Sequence, residues 1–574
     1  MNAAERQDMP SVIVDGKEVE LQANERLNGI QAARRAGVEV PHYCWHAGLS
    51  VVASCRMCLV ETGKKDPQTG AIQMMPKLVP ACQTPATDGT VFVTNSKQVQ
   101  NARAMVEEDL LLRHPVDCPI CDKAGECSLQ DYHFEHGREE RRADIKPFNS
   151  RRRDLGDSVT LFVDRCVMCT RCVRFCREVA GTRELMVANR GAHEEIDVFP
   201  GFPLENKLAG NVVDLCPVGA LGDKDFLYSQ RVWFMKSHDH VCAGCSTGCS
   251  IRVDENQDHV YRLKPRENAQ VNGWWMCDDG RYGWKHVHDE QRLAGPRRRA
   301  AAPSPTASTK AVSSRSVGSA PAVPLVDADG YEAADWTTLV HELDGKLRAA
   351  GHLAVVLSPF LTNEEAFLLA SYARTVDPAA LLVLGHVPVV GEDERFAQGF
   401  TIRAEKCPNR RGVMQVIAGL TGDVLTWETF LAERLATEKL GAIWVTGGYP
   451  RGDWHGETAV AALSAIPLRI VQDLFATPLA RQASYQLPAA ASVERAGSFV
   501  NFADRLQAFD WAIRAPAGVK AEGPLFWQLV GRTGLYRPAQ AREELARAIG
   551  YFAAATGDIP AVGLDLKINQ LASV

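Results

Sequence analysis

Sixteen of the seventeen cysteines in this 574-residue chain lie between Cys44 and Cys277, and the residues after Cys277 hold only Cys407. Sequence this dense in thiols folds as short loops closed on metal ions or on disulfides. The N-terminal "MNAAERQDMP" has no charged-then-apolar export pattern and no twin arginine, so a reducing, cytoplasmic setting is expected, with metal centres over disulfides. No apolar run approaches the roughly 18–20 residues of a spanning helix. A net charge of -6 gives no general attraction to nucleic acid. The length calls for several cores.

The thiols form four groups. The first is Cys44, Cys55, Cys58 and Cys82. Upstream, "SVIVDGKEVEL" alternates about Asp15-Gly16, a hairpin signal, and "NERLNGIQAARRAG" predicts a short helix closed by Gly37. Hairpin, helix and C-x10-C-x2-C loop together resemble the plant-type ferredoxin fold and its [2Fe–2S] loop. The 23-residue gap before Cys82 contains "GKKDPQTGAIQ", which has the character of an inserted turn; zinc is the competing occupant.

The second group, "RHPVDCPICDKAGEC", supplies Cys118, Cys121 and Cys127 but lacks a fourth thiol nearby. His114, His133, His136 and Cys176 are the candidates for the missing ligand. Pro115 biases His114 toward an extended backbone, from which the loop can return its imidazole to the cysteines. The third group places Cys166, Cys169 and Cys172 at C-x2-C-x2-C, with a remote Cys216-Pro217. Three thiolates in so tight a loop suit three corners of a cubane and crowd a single zinc ion. Cys176 is followed by Arg177, not proline, and is left out of the set. The fourth group is Cys242, Cys245, Cys249 and Cys277, four thiolates sufficient for zinc or for [4Fe–4S].

The order of these loops, through H-x3-C-x2-C-x5-C and C-x2-C-x2-C…CP to C-x2-C-x3-C-x27-C, resembles the large iron–sulfur subunit of respiratory NADH:quinone oxidoreductase over residues 1–290. NAD-linked formate dehydrogenases share the order, and NAD-linked hydrogenases share part of it. The resemblance implies that His114 is the fourth ligand of the second group. It implies one [2Fe–2S] and three [4Fe–4S] clusters, the Cys242–Cys277 cluster lying off the main electron route. It also implies an electron relay from an NADH/FMN-binding subunit toward quinone, coupled by the whole complex to proton pumping. Partners would be that subunit, a small [2Fe–2S] subunit and quinone-module subunits, in a peripheral arm on the cytoplasmic side of the membrane. No NADH or quinone site and no direct membrane insertion are expected on this chain, which has neither a G-x-G-x-x-G opening a helix nor a P-loop.

The expected fold class is α/β and α+β multidomain. Residues 1–95 form a plant-type ferredoxin (β-grasp) domain, 96–137 the His/Cys3 [4Fe–4S] domain and 138–235 a ferredoxin-like [4Fe–4S] domain. Residues 236–292 form a molybdopterin-oxidoreductase-type [4Fe–4S] domain, 293–330 a linker and 331–574 a truncated molybdopterin-oxidoreductase-like α/β domain without pterin. The linker is expected from the Ala/Pro/Ser-rich stretch at 296–324, which can bury little apolar surface. In the last domain "LAVVLS", "ALLVLG", "AIWVTG" and "LRIVQD" predict buried strands, and Thr362 to Glu365 a capping box. "ERAGSFVNFADRLQAF" resembles a stretch of molybdopterin oxidoreductases through Glu494, Gly497, Ser498, Asn501, Arg505 and Gln507, with Ala503-Asp504 in place of Glu-Gly. It is expected to serve the fold before any ligand. Cys407 as a molybdenum ligand is set aside, because about 245 residues after the linker are too few for a full pterin cradle. The run 138–153, seven Arg/Lys against three acids, is either a docking face or a solvated loop.

Overall fold

A computed structural model describes residues 9–140, 142–147, 152–191, 193–300 and 326–567, and the strands and contacts below are those of the described residues. The chain divides into two units, residues 1–235 with 396–400, and residues 236–395 with 401–574.

The first unit begins with the hairpin β1 (Ser11–Val14) and β2 (Lys17–Glu20), turned by Asp15 at φ 49° and Gly16 at φ 82°. Two successive left-handed residues match the right-handed twist of the strands they join. Helix α1 (Gly29–Arg35) opens on a capping box from Asn28 and Gln31 and is followed by Gly37 at φ 77°. Strands β3 (Leu59–Lys65), β4 (Ile72–Met74) and β5 (Thr90–Val93) complete a sheet ordered β2-β1-β5-β3-β4, with Val79–Pro80 also paired to β3. Strands β1 and β5 run parallel. Helix α2 (Lys97–Arg113) leads into the second thiol group, and α3 (Ser128–His136) leaves it. Strand β6 (Val159–Phe162) and helix α4 (Arg171–Phe175) flank the third. A wide turn, Cys176–Ala180, continues α4.

The second unit opens with an antiparallel sheet of β7 (Lys236–Val241), β8 (Ser250–Asn256) and β9 (His259–Pro265). It continues into an eight-stranded sheet. The strands are β10 (Arg297–Arg299), β11 (Tyr331–Ala333), β12 (Leu353–Leu357), β13 (Leu381–Leu384), β14 (Leu425–Thr426), β15 (Ala442–Thr446), β16 (Leu468–Asp473) and β17 (Tyr485–Pro488). Their order is β11-β10-β17-β16-β15-β12-β13-β14. The last six in that order are mutually parallel. By chain order these six read 3-2-1-4-5-6 from β14 to β17, a doubly wound arrangement whose connections reverse direction between β12 and β15. All five residues of β12 and of β15 are buried, as unbroken apolar runs in a parallel sheet should be. The predicted capping box is present: Thr362 accepts from Glu365 N, and the Glu365 carboxylate accepts from Thr362 N, at the start of Asn363–Val376.

One expectation needs correction. The expected linker begins with a strand, because β10 pairs β17 on one side and β11 on the other. Its arginines are held by partners, Arg298 by Glu332 and Glu342, and Arg299 by the Tyr331 hydroxyl. Charge alone hid a strand that lies at the edge of the parallel array, where polar side chains reach solvent. Residues 301–325 of the linker lie outside the described residues. Strands β18 (Gly497–Val500) and β19 (Arg505–Phe509) carry the segment that resembles molybdopterin oxidoreductases. Asp504 there takes φ 62°, a left-handed conformation that Asp tolerates better than most residues.

Candidate metal centres

All seventeen cysteines are unpaired by disulfides. In the first group, Cys44 lies within hydrogen-bonding reach of Cys55 and Cys82, and Cys58 within reach of Cys82. The inserted residues explain how Cys58 and Cys82 meet across a long gap. Strands β3 and β4 run out and back about a turn in which Asp66 accepts from Gln68 N and Thr69 N. Leu59 then pairs with Pro80, and Ala81 N donates to Cys58 O at 2.9 Å. An antiparallel excursion returns its ends to one place whatever its length. Hydrogen bonding from Cys55 and Cys82 draws the Cys44 thiol far down, while Cys55 and Cys82 are driven up.

In the second group His114 ends α2 in an extended conformation, φ -66° and ψ 137°, as its proline neighbour requires. Val116 adopts φ 53°, costly for a β-branched residue, and its N–H donates to His114 Nδ1 at 3.1 Å. A ligand bond through Nε2 would place the proton on Nδ1 and exchange that hydrogen bond. His114 and Cys121 share the Arg165–Asp117 ion pair, 2.6 Å, as a neighbour. Cys118 and Cys127 in turn neighbour Cys121. His133 and His136 sit in the last turn of α3, away from the sequence that bends around the thiols. Of the basic run at 138–153, Arg138 and Arg142 close on Glu108, and Arg153 bridges Glu195 and Asp197. Residues 141 and 148–151 of that run lie outside the described residues.

The third group is the most complete. Cys166, Cys169, Cys172 and Cys216 line one small cavity of about 10 Å³, together with Leu161 and Ile196. Cys176 is buried but takes no part in the lining; its thiol faces Glu184. Burial raises all three tightly spaced thiols, Cys169 to about 11. Met168 and Thr170 both adopt left-handed backbone, φ 48° and 57°, and Met168 N lies 3.4 Å from Cys166 Sγ. Such turns direct successive N–H groups inward, a concavity suited to anions and to iron–sulfur centres. Ala53 and Arg56 do the same in the first group, at φ 54° and 61°.

In the fourth group Cys242, Cys245 and Cys249 occupy the loop between β7 and β8, and Cys277 caps the short helix Asp278–Tyr282. Gly244 N and Gly280 N each lie 3.4 Å from a sulfur, those of Cys242 and Cys277. At Gly280 a larger residue would crowd the site: a Cβ there would stand 3.0 Å from Cys242 Sγ, whereas one on Gly244 would make ordinary contact at 3.5 Å. Burial pushes Cys242 up to about 12 and raises Cys249 and Cys277 as well. Beside this group, where β12 and β15 diverge, lies a cavity of about 60 Å³ lined by Cys242, Gly280, Trp284, Phe360 and Gly448. Ligands of doubly wound sheets bind at such a divergence. Cys407 is packed among Phe360, Phe430 and Tyr449, an apolar site that keeps a thiol inert.

Two sets of residues support the thiol loops from outside the cysteine motifs. Asn501 Nδ2 donates to Thr247 O at 3.1 Å, and Gln507 Nε2 to Gly248 O at 2.7 Å, clamping the turn between Cys245 and Cys249. Ser250 Oγ completes the clamp by donating to Gln507 Oε1 at 2.8 Å. The segment expected to serve the fold thus serves a thiol loop. The second set is Arg171, Arg174 and Glu178, spaced i, i+3, i+7 on one helical face. Arg171 donates to Trp45 O and Leu215 O, Arg174 to Cys44 O, Ser50 O and Cys169 O, and Glu178 accepts from Ser50 N and Oγ. The charge spacing in "CTRCVRFCRE" is the one hint the sequence holds.

Among the described residues no three or more His, Cys, Asp or Glu side chains are gathered as a single-ion site would gather them, and no helix is long and apolar enough to cross a membrane.

Family models match four stretches of the chain. These are a 2Fe-2S iron-sulfur cluster binding domain at 7–97, the NADH-ubiquinone oxidoreductase-G iron-sulfur binding region at 103–142, the NADH-quinone oxidoreductase subunit 3 ferredoxin-like domain at 156–222, and the molybdopterin oxidoreductase Fe4S4 domain at 235–289. Among curated proteins, the G subunit of the NADH-quinone oxidoreductase of Rickettsia conorii is 36% identical over 283 residues, 49% of this chain and 40% of that protein. The NADH-ubiquinone oxidoreductase 75 kDa subunit of Reclinomonas americana is 38% identical over 50% of this chain and 40% of its own length. The chain therefore spans about two fifths of the length of the curated relatives it matches. A chain from a crystal structure of an NAD+-reducing [NiFe]-hydrogenase in the H2-reduced state matches at 27% identity with a TM-score of 0.33, over 39% of this chain and 91% of that one.

Proposed function

We propose, on the premise that the thiol-rich half of this chain belongs to the family of iron–sulfur G subunits of NADH-quinone oxidoreductases, that the protein relays electrons from an NADH/FMN-binding subunit toward quinone. The observation that carries the proposal is the cavity onto which Cys166, Cys169, Cys172 and Cys216 converge. Its four soft donors and inward N–H groups suit an iron–sulfur core.

The ligand assignment proposed is Cys44, Cys55, Cys58 and Cys82 for one [2Fe–2S] cluster. Three [4Fe–4S] clusters would use His114 with Cys118, Cys121 and Cys127; Cys166, Cys169, Cys172 and Cys216; and Cys242, Cys245, Cys249 and Cys277. Such clusters, when bound, supply one-electron carriers whose potentials follow charge, burial and hydrogen bonds to sulfur. The chain supplies those controls. Met168, Gly244 and Gly280 direct N–H groups at sulfur, and the loops exclude water from most of the thiols. His114 contributes a neutral ligand where the other sites use thiolates, removing one negative charge from its set. The domain division at 95, 137, 235 and 292 belongs to the same proposal. So do the partners: the NADH/FMN-binding subunit, a small [2Fe–2S] subunit and quinone-module subunits, in a peripheral arm on the cytoplasmic side.

The test is anaerobic purification of the full chain, with iron, sulfide, zinc and molybdenum analysis and EPR after reduction. One [2Fe–2S] signal and three [4Fe–4S] signals are expected, and His114→Ala should lose or convert one of the latter while His133→Ala and His136→Ala retain it. A colourless, zinc-loaded protein refutes the proposal. Stoichiometric molybdenum or tungsten would instead favour a pterin enzyme of the formate dehydrogenase kind.

A further inference from the structure

Arg174 lies between Cys172 and Cys176 in sequence, yet its guanidinium reaches out of its own loop. One nitrogen donates to Cys44 O and, at 3.1 Å, to Cys169 O; the other donates to Ser50 O. Cys44 and Cys169 belong to two different thiol groups, so a single buried cation touches a thiol-bearing residue of each. Among the described residues no carboxylate pairs with it. The nearest acid is Glu178, one turn on, already engaged by Ser50 N at 2.8 Å, Ser50 Oγ at 2.6 Å and Arg177 at 2.7 Å. A guanidinium cannot shed its charge, and in a dry site that charge acts over the full distance to both sulfur sets.

We propose that Arg174 is a positioning and potential-setting residue shared by the Cys44–Cys82 and Cys166–Cys216 sites. The inference rests on the cluster assignment above. Each site becomes more negative when reduced, so a fixed cation held against both favours both reduced forms and raises both potentials. The same fork fixes how the two loops lie against each other, because its three carbonyl partners come from residues 44, 50 and 169. Arg171 differs in kind: its partners, Trp45 O at 2.6 Å and Leu215 O at 3.2 Å, are neighbours of thiol-bearing residues and not those residues themselves.

The test is an EPR-monitored redox titration of the full chain, parent against Arg174→Gln, with iron and sulfide content measured on each sample. Both midpoint potentials should fall in Arg174→Gln, and Arg174→Lys, which restores the charge, should return both toward the parent. Glu178→Gln keeps hydrogen bonds to Ser50 but removes the nearest negative charge, and should move both potentials upward. That variant decides the matter if Arg174→Gln does not retain its clusters. Potentials that stay in place, movement of one site alone, or a lysine variant that behaves as the glutamine does would overturn the proposal while leaving the relay intact. Absence of either signal from the parent protein would overturn both.

Discussion

Gly219 lies three residues after Cys216, in "CPVGA", yet the space beside its Cα is filled by the sulfur of another group. A Cβ built on Gly219 meets Cys121 Sγ first, then Lys123 Cβ at 3.3 Å and Arg165 Cδ at 3.7 Å. The expected consequence of Gly219→Ala is therefore a fault in the second group, not the third. To regain the 3.4 Å at which ordinary contact begins, the sulfur must retreat by roughly 1 Å, against a tolerance of about 0.2 Å for a metal–ligand bond. A cysteine can retreat by turning to another staggered well, so the fold itself should lose no more than about 1–3 kcal/mol, the usual cost of overpacking. Ligation has no such escape. The assay is EPR with iron and sulfide counts, alongside a thermal melt. Loss or conversion of the His114/Cys118/Cys121/Cys127 signal is expected, with the Cys166–Cys216 signal kept and the melt little changed. An unaltered spectrum would mean that Cys121 does not bind where its sulfur now stands, and the reasoning would fail.

Three further outcomes are expected. Cys176→Ala should keep the third cluster signal and Cys216→Ala should abolish it, by EPR, since only Cys216 lines the cavity. Gln507→Leu should leave Gly248 O buried without its donor, costing about 1–3 kcal/mol, seen as a lower melting temperature together with weakening of the Cys242–Cys277 signal. Asp473 is raised from 3.8 to about 6 by burial, which outweighs the hydrogen bonds from Trp454, Gly448 and Leu474. The folded chain thus holds a proton that the unfolded chain has released, so this group's contribution to stability is full below pH 3.8 and is lost as pH rises through about 6. Urea denaturation of parent and Asp473→Asn should show the parent losing on the order of 3 kcal/mol relative to the variant between pH 4 and pH 7; parallel pH profiles would refute the assignment.

Local signals in the sequence are reliable where the physics is local. The Asp15-Gly16 hairpin, the Thr362 capping box and the four apolar strands need only neighbouring residues to declare themselves, and all are present. The thiol groups are legible because ligand spacing is itself local within each loop. Distant closure is not legible. Nothing near Cys58 announces that Pro80 will pair with Leu59, nor does anything near Cys245 announce Asn501 and Gln507. Arg297–Arg299 escapes notice because three charged residues carry no apolar alternation, although the strand is paired on both sides and its arginines are held by carboxylates and the Tyr331 hydroxyl. The second ring nitrogen of His114 lies beyond the sequence for the same reason: its partner, Val116 N, depends on a strained backbone that no residue preference favours.

The long-range clamps bear on the order in which the molecule can be made. The loop carrying Cys44 emerges early in synthesis, but the arginines and glutamate that fasten it are 124 to 130 residues further on. The turn at Thr247 and Gly248 waits longer, for side chains 254 and 259 residues away. At roughly 5–20 residues per second of elongation, each early loop stays unfastened for several seconds or more while its thiols are exposed to oxidant and to stray metal. The loops are thus open during translation and closed only after it.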